Sequence, residues 1–217
     1  METIRFEEAS YVKETLILDR ATAAFETGKS YLILNDDRRE LGLLTAVMTG
    51  LETLTSGKLL YNSQDISKNV HTTLLTAEIG TVFQKYNYIP ELSAVENLYY
   101  YLQVSKKPRK KADCLKYLAS FGINGPSAKQ PLGQLDLFTQ KKYSLAKAVI
   151  FSPRLLILDH LLSSMDFHSQ EQVMGYLKTL TDEGTCVILL ECEQYLGRYT
   201  DEVWGMNRGK LSFIKGI

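Results

Sequence analysis

The turn at residues 35–42, with the sequence NDDRRELG, has a position typical of a phosphate site but few of the residues that such a site uses. It follows an apolar stretch at residues 31–34 and precedes LLTAVMTGL, which has the pattern of a helix. A strand, a short turn and a helix in this order let backbone N–H groups bind phosphate oxygens. This turn, however, has one glycine, no lysine where a phosphate loop has one, and the carboxylates of Asp36, Asp37 and Glu40. A phosphate of like charge would be repelled by these carboxylates.

Asp37 and Glu40 have the spacing of a helix-capping box. We expect the Asp37 carboxylate to accept from the N–H of Glu40, and the Glu40 carboxylate to reach back to the N–H of Asp37. The partial positive charge of the helix start would then meet the protein's own carboxylates. The sequence therefore predicts a phosphate-type turn that is closed from inside. An alternative stays open, in which Arg38 and Arg39 replace the missing lysine on the phosphates.

Strands alternate with helices along most of the chain. The predicted strands lie at residues 3–6, 14–25, 31–34, within 55–67, at 78–84, 155–158 and 186–190, and in a final hairpin that turns at 207–209. The predicted helices lie at about 42–50, within 90–123 in two parts, at 139–151 and at 170–180. Fully apolar strands alternating with helices are typical of a mostly parallel sheet that is covered on both faces.

The composition excludes several classes of protein. The chain has 217 residues, of which 45% are hydrophobic and 23% charged, which predicts a folded core and not a disordered chain. No run of about 18 apolar residues occurs, and the first residues lack a signal-peptide pattern. The formal net charge of zero argues against general nucleic-acid binding, and we interpret the basic run KKPRKK at 106–111 as a solvated loop. Three scattered cysteines form neither a disulfide framework nor a spaced zinc motif. We expect a soluble cytosolic protein.

Several stretches together resemble the ATPase subunit of an ABC transporter. They are TSGKLLYNSQDIS (55–67), IGTVFQKYNYIPELSAVENL (79–98), SPRLLILDHLLSSMD (152–166) and VWGMNRGKL (203–211). Their order and spacing match the family over nearly the whole chain, and the short cassettes of lipoprotein-releasing, macrolide and bacteriocin-export transporters are the most similar.

The resemblance implies an α/β fold of the P-loop-NTPase-like ABC ATPase type. Such a fold has a mostly parallel core sheet, an N-terminal antiparallel β-subdomain and an inserted helical subdomain. We expect a single domain over residues 1–217, in which 1–89 and 139–217 form the core with the β-subdomain. The helical subdomain is expected at about 90–138.

The resemblance also assigns family positions to residues of this chain. Gln84 falls on the Q-loop glutamine and Asp159 on the metal-side aspartate that ends the Walker B strand, so these two are the candidate metal-side residues. The D-loop, a dimer contact in the family, falls on Ser163, Ser164, Met165 and Asp166. The nucleotide-binding turn falls on Asn35, Asp36, Asp37, Arg38, Arg39, Glu40, Leu41 and Gly42.

Most nucleotide-binding positions hold residues that differ from those of the family. Leu41 stands for the lysine that neutralises phosphate charge, and Gly42 for the hydroxyl that ligates Mg²⁺. His160 stands for the glutamate that polarises the attacking water, and Cys192 for the switch histidine. The signature falls on Leu135, Asp136, Leu137, Phe138 and Thr139, so its two glycines become leucine and phenylalanine.

These differences favour a pseudo-ATPase that docks on a transmembrane permease subunit and forms a homodimer or a heterodimer with another ABC ATPase. The family hydrolyses ATP, but we expect this chain to be inactive or nearly so, with ATP and Mg²⁺ as cofactors only if the family function is retained. The stretch KYNYIPELSAVENLYYYL (85–102) favours docking, because this region receives the permease's coupling helix in the family. We expect a cytoplasmic protein, peripheral on the inner face of the cell membrane, with no nucleic-acid partner. An active ATP-binding subunit that uses Arg38 and Arg39, and a soluble regulatory scaffold, are the alternatives.

Overall fold

The computed structural model of the chain describes residues 1–68, 77–85, 87–163 and 165–216. Its strands are β1 (Glu2–Val12), β2 (Leu16–Glu26), β3 (Ser30–Leu34), β4 (Ser56–Tyr61), β5 (Gln64–Asp65), β6 (Ile79–Val82), β7 (Leu155–Asp159), β8 (Cys186–Glu191), β9 (Glu202–Asn207) and β10 (Lys210–Gly216). Its α-helices are α1 (Arg38–Met48), α2 (Ala94–Val104), α3 (Lys111–Ser120), α4 (Leu137–Val149) and α5 (Phe167–Asp182). Among these described residues, no helix has the length and apolar character needed to cross a bilayer.

The first sheet is antiparallel and has the order β2-β1-β4-β5. From Ala21 to Phe25, every second side chain of β2 is buried, which is the pattern of a sheet with one face on the core. Gly57 lets β4 approach β1 closely, since a Cβ at this position would lie 2.2 Å from the carbonyl oxygen of Glu8. The predicted N-terminal antiparallel β-subdomain is confirmed.

The second sheet has the order β10-β9-β3-β8-β7-β6. Its strands from β9 to β6 are mutually parallel, and β10 pairs antiparallel with β9 at the edge. Every residue of β7 and β8 is buried, as expected for strands with helices on both faces. Helix α1 packs on β7 and β8, and α5 packs on β8. The predicted mostly parallel core sheet, with Asp159 at the end of its strand, is confirmed.

The parallel register brings three strand ends to one edge of the sheet. Leu34 of β3 pairs with Glu191 of β8, and Leu190 of β8 pairs with Asp159 of β7. The residues that follow β3, β7 and β8 therefore emerge side by side. Ligands of open parallel sheets bind at this edge, so the candidate site lies here.

Residues Lys85–Ile150 form a compact unit, and Met1–Gln84 together with Phe151–Ile217 form another. In the helical unit α2 packs against α3, and Leu98, Leu102 and Leu118 are fully buried. The N-terminus of α2 is fixed by a capping box of Ser93 and Glu96.

Helix α4 groups with the helical unit, whereas the sequence assigns residues from 139 onward to the core. The contacts of α4 with the segment after β6 explain this grouping. The Tyr88 hydroxyl donates to Oε1 of Gln140 at 2.7 Å, and the Lys147 ammonium donates to the carbonyl of Asn87. The assignment of 90–138 as the family's helical subdomain stays a prediction.

Candidate functional site

The turn between β3 and α1 is closed by the protein's own side chains. Asp37 is the N-cap of α1, and its Oδ1 accepts from the N–H of Arg39 at 2.8 Å and from that of Glu40 at 3.4 Å. Since these groups belong to the first turn of the helix, they are among the N–H groups that a bound anion would use. The sequence predicts that this helix begins at about Gly42, but α1 begins at Arg38, because Asp37 caps it there.

The second half of the predicted capping box is wrong. The Glu40 carboxylate does not reach the N–H of Asp37; it accepts instead from Nδ2 of Asn35 at 2.7 Å. Oδ1 of Asn35 accepts from the N–H of Asp37 at 2.9 Å. Because an amide offers both a donor and an acceptor, Asn35 joins the two acidic residues into one closed network.

Leu41 and Gly42 face the interior of the protein. Leu41 is fully buried and belongs to the hydrophobic core. A Cβ at Gly42 would lie 3.6 Å from Oδ2 of Asp159, so the start of α1 runs directly past this carboxylate. The positions that the resemblance assigns to a phosphate-loop lysine and hydroxyl therefore carry an apolar core residue and a residue without a side chain.

The two arginines of the turn interact with other side chains of the protein. Arg39 forms a salt bridge with Glu14, and both side chains are more than half exposed. Burial raises the pKa of the Cys192 thiol, while the guanidinium of Arg38 acts in the opposite direction. The sulfur lies 4.0 Å from the carbonyl oxygen of Asp36. A thiol with a raised pKa is mostly protonated at neutral pH, so it is a weak nucleophile.

A cluster of ionisable side chains is buried at the ends of β7 and β8. Asp159, His160 and Glu191 have relative exposures of 2%, 1% and 0%. Nδ1 of His160 lies 3.3 Å from Oε2 of Glu191, and its Nε2 lies 4.0 Å from Oδ1 of Asp159. The imidazole is thus placed between two carboxylates, in a backbone conformation with φ of 50° that favours glycine.

Glu191 was not predicted as a site residue. Its Oε1 accepts from the N–H of Leu162 at 2.8 Å, which ties the end of β8 to the loop after β7. Burial raises the pKa of Glu191, while His160 and the N–H of Leu162 act in the opposite direction. In the sequence, Glu191 is a single carboxylate at the end of the apolar run CVILLE. This pattern is typical of a buried strand whose last residue is exposed to solvent, so it does not indicate a buried site.

Asp166 and Asp136 cap helices in the same way as Asp37. Asp166 of the predicted D-loop is the N-cap of α5, and its Oδ1 accepts from the N–H of Ser169 at 3.0 Å. Asp136 of the predicted signature is the N-cap of α4 and accepts from the N–H of Thr139 at 2.9 Å. Hydrogen bonds with the hydroxyl and N–H of Ser169 lower the pKa of Asp166, and those with Thr139 lower that of Asp136.

The other predicted site residues range from exposed to buried, and one lies outside the described part of the chain. Gln84 follows β6 and is exposed. Leu137 is 45% exposed at the start of α4, and Phe138 packs beneath the Lys142 ammonium, 4.7 Å from the ring centroid. Ser163 is half-buried and Met165 is buried, whereas Ser164 lies outside the described residues. The roles assigned to these residues by resemblance stay predictions.

The closed turn forms one wall of a cleft of about 510 Å³. The cleft is lined by Leu34, Asn35, Asp36, Cys192, Gln194, Met206, Asn207 and Ile214. Among the described residues, no group of three or more His, Cys, Asp or Glu side chains is arranged to hold a metal ion.

Comparison with known proteins places this geometry in a family. The sequence model of the ABC transporter family matches residues 42–163, which is more than half of the chain. An uncharacterized ABC transporter ATP-binding protein of Bacillus subtilis is 23% identical over 223 residues, covering 100% of this chain and 99% of the relative. A methionine import ATP-binding protein of Corynebacterium glutamicum is 29% identical over 204 residues, and the match covers 91% of this chain but 56% of that relative.

Solved structures show the same fold at lower identity. The dimeric structure of a bacterial ABC transporter cassette matches with a TM-score of 0.85 at 19% identity, covering 99% of this chain and 100% of that one. A nucleotide-free ATP-binding cassette from an ABC transporter matches with a TM-score of 0.82 at 19% identity, covering 100% and 92% of the two chains. The predicted fold class is confirmed by these matches.

The Asp37 cap predicts a change in stability. Asp37→Ala removes the acceptor for two N–H groups of α1, so the free energy of unfolding should fall by about 1 kcal/mol. Asp37→Asn keeps an acceptor, so its free energy of unfolding should fall by only a few tenths of a kcal/mol. That loss comes from removing the negative charge that interacts favourably with the helix dipole. Urea unfolding followed by circular dichroism measures both. Asp36→Ala is the matched control, and a loss equal to that of Asp37→Ala would contradict the cap.

The raised pKa of Glu191 predicts a pH dependence of stability. The folded protein holds this proton to higher pH than the unfolded chain, whose glutamate has the ordinary value of 4.5. The stability contributed by Glu191 is therefore fully present below pH 4.5 and is lost as pH rises through the folded pKa. The neutral variant Glu191→Gln lacks this loss, so its unfolding free energy relative to the wild type should increase with pH. Urea unfolding across this pH range, with the exposed Glu91→Gln as control, tests the sign of the slope.

Proposed function

The chain belongs to the ABC transporter family, and from this membership we propose that it is a cassette subunit which docks on a membrane permease without hydrolysing ATP. The observation that carries the proposal is the turn before α1. Its helix N-terminus is capped by Asp37, and the buried Leu41 stands where the resemblance predicts the phosphate-binding lysine. The subunit would contribute shape and contacts to a transporter in place of chemistry.

The residues of the turn do not fit the phosphates of a nucleoside triphosphate. An incoming phosphate would have to displace the carboxylate of Asp37 from the N–H groups of α1 and lie beside Asp36 and Glu40. Each charge-assisted hydrogen bond to a phosphate contributes about 1.5–3 kcal/mol, and this turn replaces such bonds with repulsion. Leu41, which is fully buried, has no charge to compensate for it.

The metal side of the site does not fit Mg²⁺ either. Mg²⁺ needs oxygen ligands in near-octahedral geometry. Gly42, to which the resemblance assigns the family's hydroxyl ligand, has no side chain. A Cβ built at Gly42 would lie 3.6 Å from Oδ2 of Asp159. Asp159 itself lies beside the imidazole of His160 in the buried cluster. The proposal therefore assigns no reaction of a nucleotide or a metal ion to this site.

The signature segment adds a second, independent argument. In the family, bare N–H groups of two glycines approach the nucleotide held by the partner subunit. Here Leu137 and Phe138 occupy these positions, and the N-terminus of α4 is capped by the carboxylate of Asp136. A homodimer would combine two closed turns with two such segments, whereas a heterodimer with a competent ABC ATPase would keep one functional turn.

The alternative of an active ATPase depends on Arg38 and Arg39. Both are in the turn, and guanidinium groups bind phosphates well. Arg39, however, is paired with Glu14. An active site would require Arg39 to leave this partner, and both arginines would have to contact phosphates at the capped helix start.

Family membership and an exposed apolar residue of the stretch 85–102 support a permease as partner. Within the described part of this stretch, Ile89 is 40% exposed, while Tyr86 lies outside the described residues. Relatives include import ATP-binding proteins, which by their names act in transport. The proposed location is the inner face of the cell membrane, peripheral to the bilayer.

Nucleotide binding tests the closed turn. We expect the purified chain to bind MgATP no more tightly than roughly millimolar, because the charge-assisted contacts are missing. Isothermal calorimetry measures the affinity, with the Bacillus subtilis relative, named as an ATP-binding protein, as the positive control. Arg38→Gln/Arg39→Gln should leave the weak signal unchanged.

Micromolar binding by the wild type that the double arginine variant abolishes would establish the active-ATPase alternative.

Phosphate release by the purified chain should be absent, and His160→Glu should not restore it, since the lost functions act together and are non-additive. Turnover by the wild type would contradict the proposal.

Copurification tests the partner. When the tagged chain is isolated from native membranes in mild detergent, we expect a permease subunit in the complex. Ile89→Ser removes an exposed apolar side chain of the stretch 85–102 and should reduce the recovered permease. Leu51→Ser, at a residue that is 61% exposed in the other unit, is the control and should not. Recovery of the chain from the soluble fraction alone would favour the scaffold alternative.

A further inference from the structure

The loop between α2 and α3 has an unusual concentration of positive charge. Residues 106–113, KKPRKKAD, hold five cations and one carboxylate, although the net charge of the chain is zero. All of the residues from 106 to 113 are exposed. Cations after a helix C-terminus compensate the helix dipole, but a single charge is enough for that, so the dipole leaves most of the charge unexplained.

The backbone of this loop is fixed at both ends. After α2, the N–H of Lys106 donates to the carbonyl of Gln103 at 3.0 Å, and the N–H of Lys107 donates to that of Leu102 at 3.0 Å. Before α3, the carbonyl of Lys110 accepts from the N–H of Asp113 at 3.0 Å. Pro108 restricts the backbone between these ends. The five cations are therefore presented together by a defined turn and not by a loose tail.

Two exposed apolar side chains lie next to the cations. Tyr100 and Val104 are 56% and 63% exposed and are four residues apart on α2, so they share one face of the helix at its C-terminal end. Tyrosine is enriched where proteins meet the interface of a membrane, because its ring is apolar and its hydroxyl is polar.

We propose that the loop at 106–111, which the sequence alone indicates to be a solvated loop, binds the anionic phospholipid surface of a membrane together with Tyr100 and Val104. Clusters of lysine and arginine are attracted to phosphatidylserine and related headgroups, while adjacent apolar side chains enter the headgroup region. The contact is made with the lipid itself, so it goes beyond docking on a permease and needs no permease to be observed.

Lipid fits this surface better than nucleic acid does. Nucleic-acid sites of comparable charge hold the backbone along an extended groove and stack bases on aromatic rings. Here the cations occupy one tight turn, and the nearest exposed apolar residues include the aliphatic Val104. The ring of Tyr99 is already covered by the ammonium of Lys111, which lies 5.5 Å from its centroid.

Sedimentation of the full chain with vesicles tests the proposal. We expect binding to vesicles of phosphatidylcholine and phosphatidylserine, little binding to phosphatidylcholine alone, and release as ionic strength rises. Arg109→Gln/Lys110→Gln should weaken binding about fivefold for each cation, or about 25-fold together. Tyr100→Ser/Val104→Ser should weaken it severalfold without changing its dependence on salt.

Lys116→Gln/Lys129→Gln removes the same charge from other exposed positions of the same unit and should change binding much less. Melting curves of all variants establish that they are folded. Equal binding to both kinds of vesicle, equal effects of the two charge variants, or no binding at low ionic strength would overturn the proposal. So would tighter binding to a short single-stranded oligonucleotide with the same dependence on Arg109 and Lys110. Because the vesicles contain no permease, failure here leaves the proposed docking function to its own test.

Discussion

The candidate site depends on the burial of three ionisable side chains at one edge of the parallel sheet. Asp159, His160 and Glu191 are almost inaccessible to water, and an isolated charge in such a place is strongly destabilising. The imidazole lies between the carboxylates, 3.3 Å from Oε2 of Glu191 and 4.0 Å from Oδ1 of Asp159. Burial raises the pKa of Glu191, which favours the uncharged form of this carboxyl group. This arrangement depends on the register of β7 and β8. It also depends on the loop after β7, whose Leu162 N–H donates to Oε1 of Glu191.

The same strand edge is where helix N-termini of an α/β fold collect, and here they are satisfied internally. Asp37 caps α1, which follows β3, and Asp166 caps α5, which follows β7. A fold of this kind normally leaves some of these N–H groups for phosphate oxygens. In this chain Asp37 and Asp166 accept hydrogen bonds from such N–H groups, and the proposal of a docking subunit that does not hydrolyse ATP rests on the cap by Asp37.

Much of the fold follows from local patterns, but the site does so only in part. The apolar runs of β7 and β8 predict buried parallel strands because every side chain contributes to the signal. The cap by Asp37 is likewise local. The predicted partner of the Glu40 carboxylate, the N–H of Asp37, is wrong. The carboxylate accepts instead from the amide of Asn35, which directly follows β3. Glu191 escapes prediction because its partners, His160 and the N–H of Leu162, lie about 30 positions away in sequence and meet it only through strand register.

The burial of Leu41 also bears on how such a chain can evolve. A single mutation that introduced lysine at this position would place an ammonium group in the hydrophobic core, with no counter-charge among its apolar neighbours. The carboxylate network of Asn35, Asp37 and Glu40 would have to change as well before a phosphate could approach. A single substitution at Leu41 would therefore not be enough to make this turn a phosphate site, because the hydrogen bonds around Asn35 would also have to be replaced.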